Sequence, residues 1–227
     1  MGDYAFSFFK SSLTYELGKR EDIASYVGAW CNAALMDFCT RDSFPGMKTG
    51  IRFSFPQLIR IDTSKATADG GKYIAAPSAL LHIYTIKDTT SDRKLNKISV
   101  REYADKSGLD TAASESAPTE YCRIYDKIYF FPVPDDIYAL EIYYRKRPAT
   151  MSAEADTTEI DAMWDDPILK LAVIQSMRRL HLYEQAELES KAWLETMAAK
   201  VAILGEEDKD FNHIIQPDYA YKATGRR

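Results

Sequence analysis

Three cysteines, Cys31, Cys39 and Cys122, are all that the 227 residues contain. Their odd number and wide spacing exclude a disulfide framework and a zinc pattern. Cys31 and Cys39 fall in an apolar helical stretch, where a buried, reduced thiol is expected. Histidine is as scarce: His82, His181 and His213 each lack a second ligand-type residue at metal spacing such as H-x-x-x-H. No apolar run reaches the roughly 18 residues that a membrane span needs. "MGDYAFSFFKSSL" has no basic n-region followed by an apolar h-region, and Phe6 stands where a myristoylation pattern wants Ser or Thr. Positive charge is not in excess either, 29 Lys and Arg against 34 Asp and Glu for a net charge of −5. That balance weighs against a protein that lives by neutralising DNA phosphates, and it suits a surface past which DNA slides. G-x-S-x-G, P-loop and G-x-G-x-x-G motifs are absent. The acidic groups Asp135-Asp136, Asp165-Asp166 and Glu206-Glu207-Asp208 fall at a turn, a helix start and a helix end, whereas paired-carboxylate hydrolysis needs them to converge in a cleft. A soluble, non-enzymatic protein without cofactor or metal is expected.

What is present is a change of texture along the chain. Phe6, Phe9, Leu13 and Leu17 recur at helical spacing with Gly18 as a stop, and Ile23, Val27, Trp30, Ala34 and Phe38 continue the period to about Thr40. Glu21 and Asp22 lie in the first turn of that second helix, at its positive end. "SFPG" at 43–46 breaks the pattern. From about 51 to 147 the runs "QLIRID", "GKYIAA", "LLHIYTIKD" and "RKLNKI" read as short strands. Ser99 and Glu102 have capping-box spacing and predict a helix of one or two turns, followed by a mobile loop over 106–120. "YCRIYDKIYFF" predicts a hairpin turning at Asp126 and Lys127, and "YALEIYYRKRP" a strand with Leu140, Ile142 and Tyr144 on one face.

Asp165-Asp166-Pro167 supplies an N-cap and a proline at the first helical position. From Leu169 through Val173, Ser176, Leu180, Tyr183, Ala186, Ser190, Trp193 and Met197 to Leu204, apolar and small residues step by three or four, and Gly205 closes the run. A single helix about 57 Å long follows at 1.5 Å per residue, with 19–40 as its partner. The expected class is α+β: a helical bundle built on one long C-terminal helix and an N-terminal helix pair, with an inserted antiparallel β domain and an extended C-terminal tail. Residues 1–50 and 160–205 form the bundle, 51–159 the insertion and 206–227 the tail. In that tail Phe211, Ile214, Ile215, Tyr219 and Tyr221 are too apolar for an inert end; it either orders on a partner, or frays or docks on its own chain. "YYRKRP" (143–148) either stacks and attracts single-stranded nucleic acid through Tyr143–Arg147, or is an edge or final strand whose basic residues leave the sheet; Arg145, Lys146 and Arg147 equally suit pairing with acidic groups of a neighbouring subunit.

The ordered set "LGKREDIASYVGAWCNAALMDFC", "GKYIAAPSALLHIYTI", the Pro-x-Pro stretch of "IYFFPVPDDIYALEIYYRKRPATMS", and "TMSAEADTTEIDAMWDDPILKLAVIQSM" leading into "EQAELESKAWLETM" resembles the head-to-tail adaptor (connector) proteins of tailed phages. The resemblance implies a structural virion protein at the head–tail junction of the capsid vertex, present in the host cytoplasm during assembly. It implies a homo-oligomeric, dodecameric ring beneath the portal protein that extends the DNA channel and docks tail or nozzle proteins. Viral double-stranded DNA would pass through without sequence-specific binding, and no membrane is involved. Under that reading Phe211, Ile214, Ile215, Tyr219 and Tyr221 grip the portal, and Glu206, Glu207 and Asp208 are candidate channel-lining acids. A tail-completion or stopper protein is the alternative virion role.

Overall fold

Phe6, Phe9, Leu13 and Leu17 are buried, and the helix they define, α1, runs Phe6–Glu16. The computed structural model describes residues 2–41, 43, 55–109 and 115–207. No side chain caps α1; Phe6 N–H instead donates to Asp156 O (2.7 Å) and Ser7 N–H to Glu154 O (3.0 Å), satisfying two of the orphan donors of a helix start. Gly18, at φ +77°, ends it: Gly18 N–H donates to Tyr15 O and Lys19 N–H to Thr14 O, the paired bonds of a Schellman turn. A 3-10 turn at Glu21–Ile23 leads into α2, Ala24–Thr40, which buries Val27, Cys31, Ala34, Leu35, Phe38 and Cys39.

The C-terminal half corrects the expectation of one long helix. It divides into α4, Asp165–Arg179, and α5, Tyr183–Glu207, and α5 passes through Gly205 rather than stopping there. The break is a second Schellman turn: His181 N–H donates to Arg178 O (3.2 Å) and Leu182 N–H to Met177 O (2.9 Å), with His181 at φ +62°. α5 then folds back antiparallel on α4, with Trp193 Nε1 donating to Pro167 O (2.9 Å) and Lys200 Nζ to Met163 O (2.7 Å). The start of α4 also differs from expectation. Asp161 accepts from Met163 N–H (2.9 Å) and caps the 3-10 turn Ala162–Trp164, while Pro167 is the third helical residue, still within the turn whose N–H groups have no helical partner.

Asp165 holds the N-terminal segment instead of capping. Buried, it accepts from Asp3 N–H (2.7 Å), Tyr4 N–H (2.9 Å) and Thr158 Oγ1 (2.8 Å). Gly2 lies so close that an added Cβ would sit 2.2 Å from Thr158 Oγ1. These helices share a core that includes the ring cluster Phe38, Phe55 and Trp164, with centroids 5.6–5.7 Å apart.

The chain divides into two compact units, Met1–Leu58 with Arg147–Arg227, and Ile59–Lys146. The second carries strands β1 Ile59–Ala66, β2 Tyr73–Ala75, β3 Leu80–Asp88, β4 Arg93–Lys97, β5 Glu120–Ile124, β6 Lys127–Phe131 and β7 Ala139–Lys146. They form one curled seven-stranded sheet in the order β1-β7-β3-β4-β5-β6-β2. It is mixed, not antiparallel, because β4 and β5 pair in parallel. A parallel neighbour needs a crossover, and α3, Val100–Leu109, lies in it. The capping box is reciprocal as read, Ser99 N–H to Glu102 Oε2 (2.7 Å) and Glu102 N–H to Ser99 Oγ (3.1 Å), but the helix is longer than expected and takes the first residues of the proposed loop. The fold class is therefore corrected: among the described residues, five α-helices with a seven-stranded curled mixed sheet replace a bundle on one long helix with an inserted antiparallel β domain.

Leu140, Ile142 and Tyr144 of β7 face the core of this sheet together, joined by Ile86, Tyr121, Ile128 and Phe130. On β3 the buried positions Leu80, Ile83 and Ile86 recur every three residues rather than two, because register shifts at Leu80/His82 and Ile83/Thr85 each re-aim the side chains. The β5–β6 hairpin turns one residue earlier than read: Ile124 pairs with Lys127, so Tyr125 and Asp126 make the turn and Tyr125 takes the positive φ, +55°.

Candidate functional site

Tyr143–Lys146 of the basic stretch lie on β7, an interior strand between β1 and β3 rather than an edge of the sheet, and Arg147 follows the strand. The ladder partners of Tyr143–Arg145 on one side are Ile59–Ile61, and those of Tyr143–Lys146 on the other lie in Leu80–Thr85. Tyr144 and Arg145 are buried at 9% and 3% exposure, so neither ring nor guanidinium offers an open face to a base. Lys146 is half-buried and Arg147 exposed. The outward basic character of the stretch is thus carried by its last two residues.

The other singled-out groups have local structural work. Asp135 accepts from the Tyr138 hydroxyl (2.7 Å), and this bond pushes the Tyr138 phenol up to about 12. Asp136 accepts from Ile137 N–H (2.7 Å). Cys31, Cys39 and Cys122 are buried thiols, and burial pushes Cys31 up to about 12, far from a reactive thiolate. His82 meets Tyr84 edge-on at 5.4 Å, and His181 Nδ1 lies 2.8 Å from the Tyr183 hydroxyl. Among the described residues no three His, Cys, Asp or Glu side chains cluster as a metal site would need, and no helix is long and apolar enough to cross a membrane. His213, Asp208, Phe211, Ile214, Ile215, Tyr219 and Tyr221 lie outside the described residues, as do the side chains of Glu206 and Glu207.

Sequence reading missed the surface aromatics. On the sheet unit Tyr73, Tyr129 and Tyr103 form a row from edge strand β2 through β6 to α3, with centroids 5.2 and 5.4 Å apart and Lys127 Nζ 4.0 Å from the Tyr73 centroid. Tyr125 stands at the neighbouring turn, 90% exposed. On the helical unit Tyr26 stacks on Trp30 at 6.0 Å, and the Arg179 guanidinium lies 5.7 Å from the Trp30 centroid. Tyr15, Leu188 and Leu194 are exposed on the same unit. Rings with an apolar body and a polar tip suit protein contact surfaces. The available signal was phase: Tyr26 falls between the helical core positions Ile23 and Val27, and Tyr73 and Tyr129 lie off the strand face that is buried.

Backbone edges add a second kind of surface. β1 and β2 end the strand order, and such strands carry unpaired N–H and C=O groups along one side. β1 is interrupted by a register shift between Asp62 and Lys65, with Asp62 accepting from Ser64 N–H and Oγ (2.9 and 2.6 Å). β2 is three residues long. Both features limit indiscriminate strand pairing. Exposed aromatic side chains are thus found on each of the two units, and unpaired strand edges on the sheet unit.

A family model described as SU10 adaptor protein matches residues 9–217. That span runs from within α1 through both units and past the end of α5. No curated protein matches the chain.

Proposed function

Because the chain belongs to the SU10 adaptor protein family, and so is a phage adaptor and a virion component, we propose that it forms a homo-oligomeric ring, a dodecamer, between the portal protein and the tail. The ring extends the channel for viral double-stranded DNA and docks tail or nozzle proteins at the head–tail junction, a structural role without catalysis. The observation that carries this reading is the extent of the family match, residues 9–217, which spans both units.

A closed ring makes each subunit touch two copies through different faces. The sheet unit has two unlike edges in β1 and β2, and the helical unit exposes Tyr15, Tyr26, Leu188 and Leu194. Within this reading, residues 206–227 dock on the portal through Phe211, Ile214, Ile215, Tyr219 and Tyr221, and Glu206, Glu207 and Asp208 face the DNA channel. Of the basic trio, Lys146 and Arg147 meet acidic groups of the neighbouring subunit, with buried Arg145 beneath them in β7. Charge of the same sign as DNA in a channel wall lets the duplex pass without the salt-dependent grip of a basic surface. The single-strand-binding alternative has little support, since Tyr144 and Arg145 are buried.

Electron microscopy of the purified protein, alone and with the portal ring from the same genome, tests the proposal. A new ring layer on the portal is expected; bare portals beside free protein would overturn it. Deleting residues 206–227 is expected to abolish portal binding while leaving the circular dichroism spectrum and the melting of the remaining chain in place. An unchanged affinity would remove the tail from the docking surface.

A further inference from the structure

The turn between α4 and α5 is closed by a residue poorly suited to it. His181 holds φ +62° in the C′ position of a Schellman turn, a place usually taken by glycine. Nothing in "RRLHLYEQ" otherwise opposes a helix: it has no glycine, no proline and no β-branched residue. The apolar spacing of three and four also continues in phase across the break, from Val173 and Ser176 through Leu180 and Tyr183 to Ala186, Ser190 and Trp193. Two conformations of the same segment are thus close in backbone free energy, one folded back and one continuous.

The contacts that hold α5 to α4 can be made by another copy as readily as by the same chain. They are the Trp193 Nε1 bond to Pro167 O, the Lys200 Nζ bond to Met163 O and the Lys170–Glu189 ion pair at 3.4 Å. All join α5 to residues at or before the middle of α4, and none involves the turn itself. Leu182 and Tyr183, beside the turn, are 37% and 60% exposed, so opening the turn uncovers little that is not already in water. Without its α4 partner, however, α5 would expose Ala186, Trp193 and Met197, which are at most 5% exposed in the folded-back form. A straightened chain therefore needs a replacement surface, and the one of matching shape is α4 of a second copy.

We propose that Leu180–Leu182 is an exchange hinge. When His181 passes from the left-handed to the helical region, α4 and α5 join into one helix over 165–207, and α5 packs on α4 of a second copy that does the same in return. The product is a reciprocal dimer whose Trp193–Pro167 and Lys200–Met163 bonds run between chains. This form goes beyond the ring reading and does not depend on it.

The test compares wild type with His181→Ala, which favours the helical region, and His181→Gly, which removes the penalty for the left-handed one. Size-exclusion chromatography with light scattering reads the dimer-to-monomer ratio. Each protein also carries Lys170→Cys and Glu189→Cys, bridged with a short bis-maleimide while the native thiols stay buried. Relative to wild type, His181→Gly is expected to lower the dimer-to-monomer ratio about tenfold or more, because a left-handed residue other than glycine carries that order of penalty, and His181→Ala to raise it, because alanine is the better helix former. In the dimer the 170–189 bridge is expected to link two chains. Equal ratios in all three proteins, or dimers with bridges only within chains, would overturn the hinge. Should His181→Ala fail to fold, wild type and His181→Gly are incubated concentrated near the melting midpoint and cooled. Interchain bridging in the wild type alone then supports exchange, and its absence from both refutes it. The bridge reads exchange whether or not rings form, so its outcome is separate from that of the adaptor proposal.

Discussion

Two helix ends in the helical unit adopt the same Schellman turn, with Gly18 at φ +77° after α1 and His181 at φ +62° after α4. The first is written in local chemistry. Glycine enters the left-handed region without a Cβ penalty, and an added Cβ at Gly18 would meet no atom within 4 Å, so the position needs glycine for its backbone alone. The second is written nowhere in its own residues. His181 is held left-handed because α5 buries Trp193 and Met197 when it folds back on α4. Identical backbone geometry therefore has a local cause at one end and a tertiary cause at the other.

The largest expected break in this comparison is Trp193→Ala. It removes a buried ring and the donor to Pro167 O, and should destabilise the chain by about 3–5 kcal/mol in denaturant melts. If the second turn is tertiary in origin, hydrogen exchange should show the His181 and Leu182 amides losing protection in this variant while Gly18 and Lys19 keep theirs. Gly18→Ala sharpens the contrast from the other side. With open space around the Cβ, its cost is the left-handed backbone of alanine, about 1–2 kcal/mol. His181→Gly should move stability the opposite way, raising that of the folded-back chain by about 0.5–1 kcal/mol, since the relief of backbone strain outweighs the added unfolded-state entropy. Thermal melts at low concentration check both signs.

The smallest effect concerns pH. Glu102 accepts from the Ser99 amide and hydroxyl, and these bonds hold its carboxyl below the usual 4.5. A depressed carboxylate contributes stability that is present above the unfolded value and is lost as pH falls through the lower, folded one. Amide protection in the first turn of α3 should therefore weaken on the acid side of 4.5 while the Gly18 turn, built from backbone groups alone, holds through the same range. A Glu102→Gln chain should lose that acid dependence when followed by NMR-detected exchange.

The same division runs through the rest of the molecule. The N-terminal helix pair, the Ser99–Glu102 box and the inward face of β7 were legible because helical and strand periodicities place those side chains before any tertiary contact forms. The three-residue burial period of β3 was not, since it depends on register shifts opposite β7, and neither was the parallel pairing of β4 with β5. The β5–β6 turn was misplaced by one residue because Tyr125, an improbable residue for positive φ, takes the corner. Of the candidate contact residues, Arg145, Lys146 and Arg147 were identifiable as a basic run, but burial of the first follows from β7 being an interior strand. The Tyr73–Tyr129–Tyr103 row was invisible, since its members come from three separate elements.

By itself the sequence determined the places where backbone preference and apolar spacing act within a few residues: α1 and its glycine stop, α2, the capping box, the strand-rich middle and the absence of catalytic motifs. The ordered pieces along the chain also sufficed for the adaptor family. Only the tertiary structure decided that the apolar stripe after Asp165 is two helices rather than one, that Asp165 binds the N-terminal segment, and that the sheet is mixed and curled. The physical reason is range. Helix propensity and periodicity are summed over neighbours, and across "RRLHLYEQ" they favour continuation. Burying Trp193 and Met197 against the same chain is a contact between residues far apart in sequence, and its free energy exceeds the cost of one left-handed histidine.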